Sequence, residues 1–462
     1  MEMAVGLALF GVFLAFAALM YLGKLPALIA LPLMAATLYI VGGAFYHGLS
    51  FSYPGSNAVV LAREFFRVVI EEGMPRLWPV VITVVLGAAL AELLKSSGAT
   101  TTIIRWASEL GGDNKIVSCV LLTGVTALLF SSLVGLGAVI MVASIMLPIL
   151  MSIGVTPAVA GSLFLFGMSL GGALNPVNWK FYTEIMTASS TVSAIDAQNQ
   201  LIGFILPFMI PFTLVVLGFI ILHGRKGHTS FWAVPPGGGA AAAGDAGRAG
   251  ILAVLTPLVP LSLVLGFNIA SRLRGGAGYA FPINTALLAG MLYCLIVSGR
   301  GPNGRIQRLT KAVFDGITGV APVVALIIGI GMVIRVVWDP AVGTYMEPVM
   351  RRIAPSAPVL YVIVFTALAP LALYRGPLNV WGMGIGIAAI MISTGALPAM
   401  AVVAAFYSVG MIQGVSDPTN THNVWIAGFL GEDVQVFTRK TLAWTWGLAV
   451  AGLAISAFMF LR

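Results

Sequence analysis

Four short polar stretches interrupt an otherwise strongly apolar chain, and their residue types are those that hold ions and carboxylates. Ser131-Ser132-Leu-Val-Gly135-Leu-Gly137 and Gly171-Gly-Ala-Leu-Asn175-Pro176-Val177-Asn178 lie in the first half. Tyr374-Arg375-Gly376-Pro377-Leu378-Asn379 and Gly414-Val-Ser416-Asp417-Pro418-Thr419-Asn420-Thr421-His422 lie in the second. Proline inside a helix removes a backbone donor and clashes with the preceding turn, while Gly, Asn and Asp favour non-helical backbone. Both Asn/Asp-Pro stretches should therefore break a helix. Unwound backbone at membrane depth is tolerated only where protein or a water-filled cavity satisfies it. Its free carbonyls can hold a cation, and the half-helix N-termini can face an anion. One isolated proline would be read as a kink; two breaks at matching positions, each with Asn or Asp beside the proline, point to a site.

Within these stretches Arg375 is the best anion ligand, because a guanidinium grips a carboxylate through two parallel hydrogen bonds. Its competing reading is a side chain that snorkels to the surface or pairs with an acid. Ser131, Ser132, Asn175, Asn178, Asn379, Thr419, Asn420 and Thr421 complete the candidate substrate-binding set. An ionisable group within a span marks an ion or proton path, which makes Asp417 the candidate for a coupling ion, together with Gly135, Gly137, Ser416 and Asn175. Asp417 also fits a helix N-cap with Pro418 at the first helical position, and the two readings are compatible. The coupling ion would be Na+ or H+, with Na+ at the same residues; no other metal, no cofactor and no catalytic residue is expected. Lys180, Glu184 and His422 follow the breaks and are candidates to line a vestibule. Glu92 and Arg335 occupy equivalent positions near span ends, where snorkelling is the default.

The elements that must position these residues are transmembrane helices. The chain is 59% hydrophobic and 9% charged, against about 25% charged in soluble proteins. Apolar runs of about 20 residues, enough to cross a bilayer core, begin near Ala4, Leu25, Leu77, Thr156, Gln200, Gly250, Phe281, Asp315, Leu397 and Thr438. Residues 116–150 and 358–394 are each interrupted by polar or Gly-rich sequence and read as re-entrant hairpins of two short helices. The predicted fold class is thus an all-α polytopic membrane protein of ten spans and two hairpins.

The second half repeats the first. Pro79-Val80-Val81, Gly154, Pro157, Pro176 and Asn178 recur as Pro322-Val323-Val324, Gly395, Pro398, Pro418 and Asn420, at an offset between 241 and 243 residues. Internal repeats in a multi-span chain are the usual mark of a secondary transporter. Five spans per half is odd, so the repeats should be inverted. Alternate assignment of loops puts thirteen basic residues on one side and eight on the other; the richer side should be cytoplasmic and both termini outside. That bias accounts for the net charge of +8 without a nucleic-acid partner. Val59–Glu72 reads as an amphipathic helix at the interface, and residues 224–249, rich in Pro, Gly and Ala, as a cytoplasmic linker. Cys119 and Cys294 lie in apolar segments and suggest neither a disulfide nor a metal site. Gly167-Met168-Ser169-Leu170-Gly171 matches a nucleophile elbow, but it lies inside an apolar helix and its glycines fit close helix packing better.

A hairpin followed by a broken helix in each half, with Gly-Val-Ser-Asp417-Pro-Thr-Asn420 and Ser131-Ser132-Leu-Val-Gly-Leu-Gly, resembles the ion transporter superfamily over essentially the whole chain. That group includes divalent-anion sodium symporters and the C4-dicarboxylate, citrate and gluconate-type carriers. The tips read Ser-Ser-Leu and Tyr-Arg-Gly-Pro in place of the Ser-Asn-Thr signature of the divalent-anion branch, which brings the proton-coupled gluconate-like and monocarboxylate branches closer. The resemblance implies a homodimer in the plasma membrane of a bacterium. Scaffold residues 1–95 and 250–336 would hold a transport domain, residues 96–223 and 337–462, that moves like an elevator. The hairpins there are 116–150 and 358–394, and the broken helices 156–190 and 397–430. The expected function is secondary active transport of a small organic anion, a carboxylate or sugar acid. A cation/proton antiporter that exchanges at Asp417 is the first alternative, and a channel or membrane-embedded enzyme the second.

Overall fold

The computed structural model describes residues 2–48, 55–112, 114–189, 192–224, 250–273, 280–298, 304–382 and 384–461. The described residues form helices and no strand. In the first half these are α1 (Glu2–Tyr21), α2 (Ala27–Tyr46), α3 (Gly55–Phe65) continued by a π-helix (Phe66–Glu72), α4 (Trp78–Ser96), α5 (Ala99–Gly111), α6 (Lys115–Phe130), α7 (Leu136–Ser152), α8 (Pro157–Ala173), α9 (Pro176–Ser189) and α10 (Ala194–His223). The second half gives α11 (Ile251–Val254), α12 (Leu258–Leu273), α13 (Ile283–Val297), α14 (Gly304–Trp338), α15 (Pro340–Ile353), α16 (Pro358–Leu368) with a 3₁₀ extension (Ala369–Arg375), α17 (Gly384–Ser393), α18 (Ala399–Ser416), α19 (Thr421–Leu430) and α20 (Val434–Phe460).

Among these residues eight helices are long and apolar enough to cross a membrane, or nine when the pair α8 and α9 counts as one span. The molecule is therefore a multi-pass membrane protein. Ten spans is corrected in two places. The spans expected near Gly250 and Phe281 form the short α12 and α13, the first detached from α11 by turns around Pro257. Conversely, Pro358–Arg375 passes as a span although it was expected to be half a hairpin. The linker expected at 224–249 falls, beyond Gly224 and before Gly250, outside the described residues.

Helix starts follow local chemistry. Asn114 Oδ1 accepts from the amides of Ile116 and Val117 to cap α6, and Asp339 caps α15 ahead of Pro340, satisfying amides that have no partner in the helix itself. The core is built where α4 and α14 cross: a Cβ at Gly316 would stand 2.8 Å from the Ala89 nitrogen, so glycine lets the two backbones meet. Around this pair α2 packs on α14 and α13 on α4.

Over residues 116–150 the chain forms the two short helices α6 and α7 joined by a turn. The Lys115 ammonium, opening α6, donates to the carbonyl of Gly154, just past α7, at 2.5 Å, so the arms are antiparallel and their tip is Ser131–Gly135. Gly135, at φ 90°, makes the turn. The arm α6 lies so close to α8 that a Cβ at Gly171 would fall 2.1 Å from the Ala127 carbonyl oxygen, which accounts for the elbow-like glycines as packing. The second hairpin differs: α16 packs on α20, whereas α17 packs on α14, α15 and α18. Its arms diverge around an irregular tip between Gly376 and Gly382.

The helix expected over Val59–Glu72 is present as α3 and its π-helical continuation, which ends on Glu72. Glu72 Oε2 accepts from Arg335 at 2.6 Å and Oε1 from Arg67 at 2.7 Å; Arg335 also reaches Asp339 at 3.1 Å. Arg335 is thus paired and does not snorkel. Glu92 pairs with Lys95 at 3.2 Å. Burial raises the Glu72 carboxyl, but hydrogen bonds and charge from Arg335 and then Arg67 outweigh it and hold the group below the usual carboxylate range.

Candidate functional site

Each break grips the hairpin tip of its own half through the residue before the proline. In the first, α8 and α9 meet at an angle of 55° around Asn175, which is buried. Its Nδ2 donates to the carbonyls of Phe130 at 2.9 Å and Leu133 at 3.0 Å. Its Oδ1 accepts from the Val177 amide at 2.9 Å. The tip of the first hairpin ends a helix and so presents carbonyls, which require a donor.

In the second break the partner is reversed. Ahead of it the chain leaves the 3₁₀ turn through Tyr374 and Arg375, at φ 56° and 55°, the non-glycine residues in the left-handed region among those described. This turn presents an amide, which requires an acceptor, and Asp417 supplies one. Its Oδ1 accepts from the Tyr374 amide at 2.9 Å, the Thr419 amide at 2.9 Å and the Thr419 hydroxyl at 2.7 Å. Its Oδ2 accepts from Asn379 Nδ2 at 3.3 Å. Asn379 in turn donates to the Ala372 carbonyl and accepts from the Trp381 amide. Asn in the first half and Asp in the second thus answer opposite needs of the two tips.

Two sequence expectations change. Asp417 does not cap the half-helix α19: Asn420 does, accepting from the His422 amide at 3.2 Å, and Pro418 lies in the turn before it. The carbonyls at the breaks are also not free. Asn178 donates to Gly172 and Asn420 to Gln413. Trp179 and Tyr407 both donate to Ala173. Asn423 donates to Val415 and to Asp417, and Thr438 to Ser416. Side chains therefore satisfy the broken ladder at these positions.

Of the remaining candidates, Ser131 and Ser132 are buried and donate to the carbonyls of Leu128 and Pro257. Ser416 shares its hydroxyl with Thr441 at 2.7 Å and Thr445 at 2.9 Å. Gly137 faces Glu92, whose Oε1 would lie 3.6 Å from a Cβ there. Thr419 and Thr421 are exposed. Arg375 is half-buried, and among the described residues its guanidinium has no hydrogen-bond or ion-pair partner. Of its two competing readings, pairing with an acid is therefore not its state among the described residues.

Beside the breaks, two further contacts join the halves. Ser169 on α8 meets Met411 on α18 at 3.7 Å, and Phe181 on α9 stacks on Trp381 of the second tip at 4.4 Å and 11°. Lys180 pairs with Glu184 at 2.5 Å beside that stack. Sequence reasoning missed Asn423, Tyr374 and the hydroxyl stripe of Thr438, Thr441 and Thr445. The stripe was legible, since polar residues at helical spacing in an apolar span are a signal; the roles of Asn423 and the Tyr374 amide depend on the turn itself.

No family model matches the chain, and no curated protein matches it. Fifteen chains of solved structures do. MtrF of Neisseria gonorrhoeae, described among a class of antimetabolite efflux pumps, superposes with a TM-score of 0.62 at 12% identity, over 94% of this chain and 95% of that one. The YdaH transporter of Alcanivorax borkumensis, described as having an unusual topology, superposes with a TM-score of 0.60 at 14% identity, over 92% and 96%. These comparisons give no support to the narrower superfamily resemblance. The protein shares the fold of membrane transporters across nearly its full length.

Proposed function

We propose that the protein is a secondary active transporter of a small organic anion, a carboxylate or sugar acid, coupled to Na+ or H+. The observation that carries this reading is Arg375: a half-buried guanidinium without a partner among the described residues, on a left-handed turn that a buried carboxylate holds in place. Holding two consecutive non-glycine residues in that region costs about 1–3 kcal/mol each, and such strain clusters at ligand clamps. Ser131, Ser132, Asn175, Asn178, Asn379, Thr419, Asn420 and Thr421 are proposed to shape the site. Thr419 and Thr421 are the exposed ones, and the Thr419 hydroxyl is given to Asp417.

The two halves are proposed to be inverted repeats, forming a scaffold (1–95, 250–336) and an elevator-like transport domain (96–223, 337–462) in a homodimer of the bacterial inner membrane, both termini outside. Reciprocal packing supports this: α7 touches α19 as α17 touches α9, and the Ser169–Met411 contact joins positions that match in the repeat. Gly135, Gly137, Ser416, Asn175 and Asp417 remain the proposed ion ligands. Of these, Asp417 is already engaged by four donors, which disfavours the antiporter that would exchange ions there.

Purified protein in liposomes, offered labelled lactate, succinate, citrate and gluconate under imposed sodium or proton gradients, tests the reading. Probes are loaded inside as well as outside, because the structural neighbour MtrF is described as an efflux pump. Gradient-driven movement of one probe, lost in Arg375→Ala, is expected. A sodium gradient that shifts internal pH while no probe moves would favour the antiporter.

A further inference from the structure

The ion pair on α9 has no role in the site just described. Lys180 and Glu184 meet at 2.5 Å with side chains 23% and 18% exposed, while their neighbours Trp179, Phe181, Tyr182, Thr183, Ile185 and Met186 are buried. Charged groups inside a span are costly and are retained where they serve an ion or substrate path. The fold does not require this pair: the matching positions of the second half carry His422 and Ile426. The helix that carries the pair also packs against the tip that carries Arg375. Phe181, next to Lys180, stacks on Trp381, and the following Gly382 lies against the Arg375 backbone, a Cβ there falling 2.7 Å from the Arg375 carbonyl oxygen.

Resting on the anion-transport reading, we propose that Lys180–Glu184 is an exchange pair that makes transport proton-coupled. A carboxylate held by Arg375 draws the Lys180 ammonium from Glu184; Glu184, left without its cation in a low-dielectric span, takes one proton from water. One anionic charge and one proton then travel together, and release of the anion returns Lys180 to Glu184 and expels the proton. The other charged groups on elements packed against α9 are few. The helix α4 brings Glu92 and Lys95, paired with each other. From α10 come Asp196, hydrogen-bonded to Ser193, and His223 at the far end. Arg272 closes α12, and α13, α17 and α18 carry no charge. Arg375, on the tip, has no hydrogen-bond or ion-pair partner among the described residues.

Glu184→Gln keeps the shape of the pair and removes its proton. With the four labelled probes, the expected result is loss of accumulation driven by a proton gradient, while exchange of internal for external probe continues. A merely structural role would lower both together, and a bystander neither; each overturns the proposal. Lys180→Gln should weaken exchange itself. If the parent moves a probe only with sodium, the transporter reading stands and this inference falls; if no probe moves under any gradient, both fall.

Discussion

At the residue scale, Asp417 acts on Arg375 through the backbone: its carboxylate fixes the Tyr374 amide, and the next residue carries the free guanidinium. Asp417→Ala leaves buried donors unanswered, each costing about 1–3 kcal/mol. Thermal unfolding in detergent should therefore show a loss of about 2–4 kcal/mol. Asp417→Asn keeps one acceptor and should cost less. Strain and function at Arg375 separate by substitution. Arg375→Gly and Arg375→Ala should both abolish anion transport, but the glycine variant should be the more stable by about 1 kcal/mol, because only glycine accepts that backbone without penalty. Equal stability would mean the turn relaxes. Arg375 and Asp417 were legible as charges within apolar sequence. The left-handed turn joining them was not, since neither Tyr nor Arg announces positive φ.

At the element scale, the breaks and hairpins were visible as proline, glycine and asparagine inside apolar runs. What the sequence leaves open is how each arm is seated, which depends on partners distant in the chain: nothing local tells that α16 joins α20 while α17 joins α14. The first hairpin depends on close approach. Gly171→Val would drive side-chain atoms into the Ala127 carbonyl and should destabilise the protein by about 1–3 kcal/mol or more. Gly124→Ala, on the same hairpin with nothing within 4 Å, should be neutral or stabilising. The π-helix after α3 carries its own switch. Glu72 is held below the usual carboxylate range, so its tie to Arg335 is complete above the ordinary glutamate value of about 4.3 and is lost as pH falls further, through the group's own lowered value. Hydrogen exchange over residues 66–72 should accelerate through that acid window, and Glu72→Gln should show the faster exchange already at neutral pH.

At the scale of the molecule, composition and repeat made a multi-span transporter fold legible before any coordinates, and full-length superposition on MtrF and YdaH agrees with it. The proposed repeat rests on proline and glycine positions, which backbone geometry dictates. Span number was less so, because α12 and α13 are shorter than their apolar flanks suggest and Pro358–Arg375 is longer. The central claim is that a free guanidinium on a strained tip captures an organic anion for gradient-driven transport. Its most direct test is accumulation of labelled lactate, succinate, citrate and gluconate by liposomes containing the parent protein or Arg375→Ala, under a sodium or proton gradient. The account predicts that at least one probe accumulates with the parent and none with the variant. Accumulation unchanged by Arg375→Ala would contradict it.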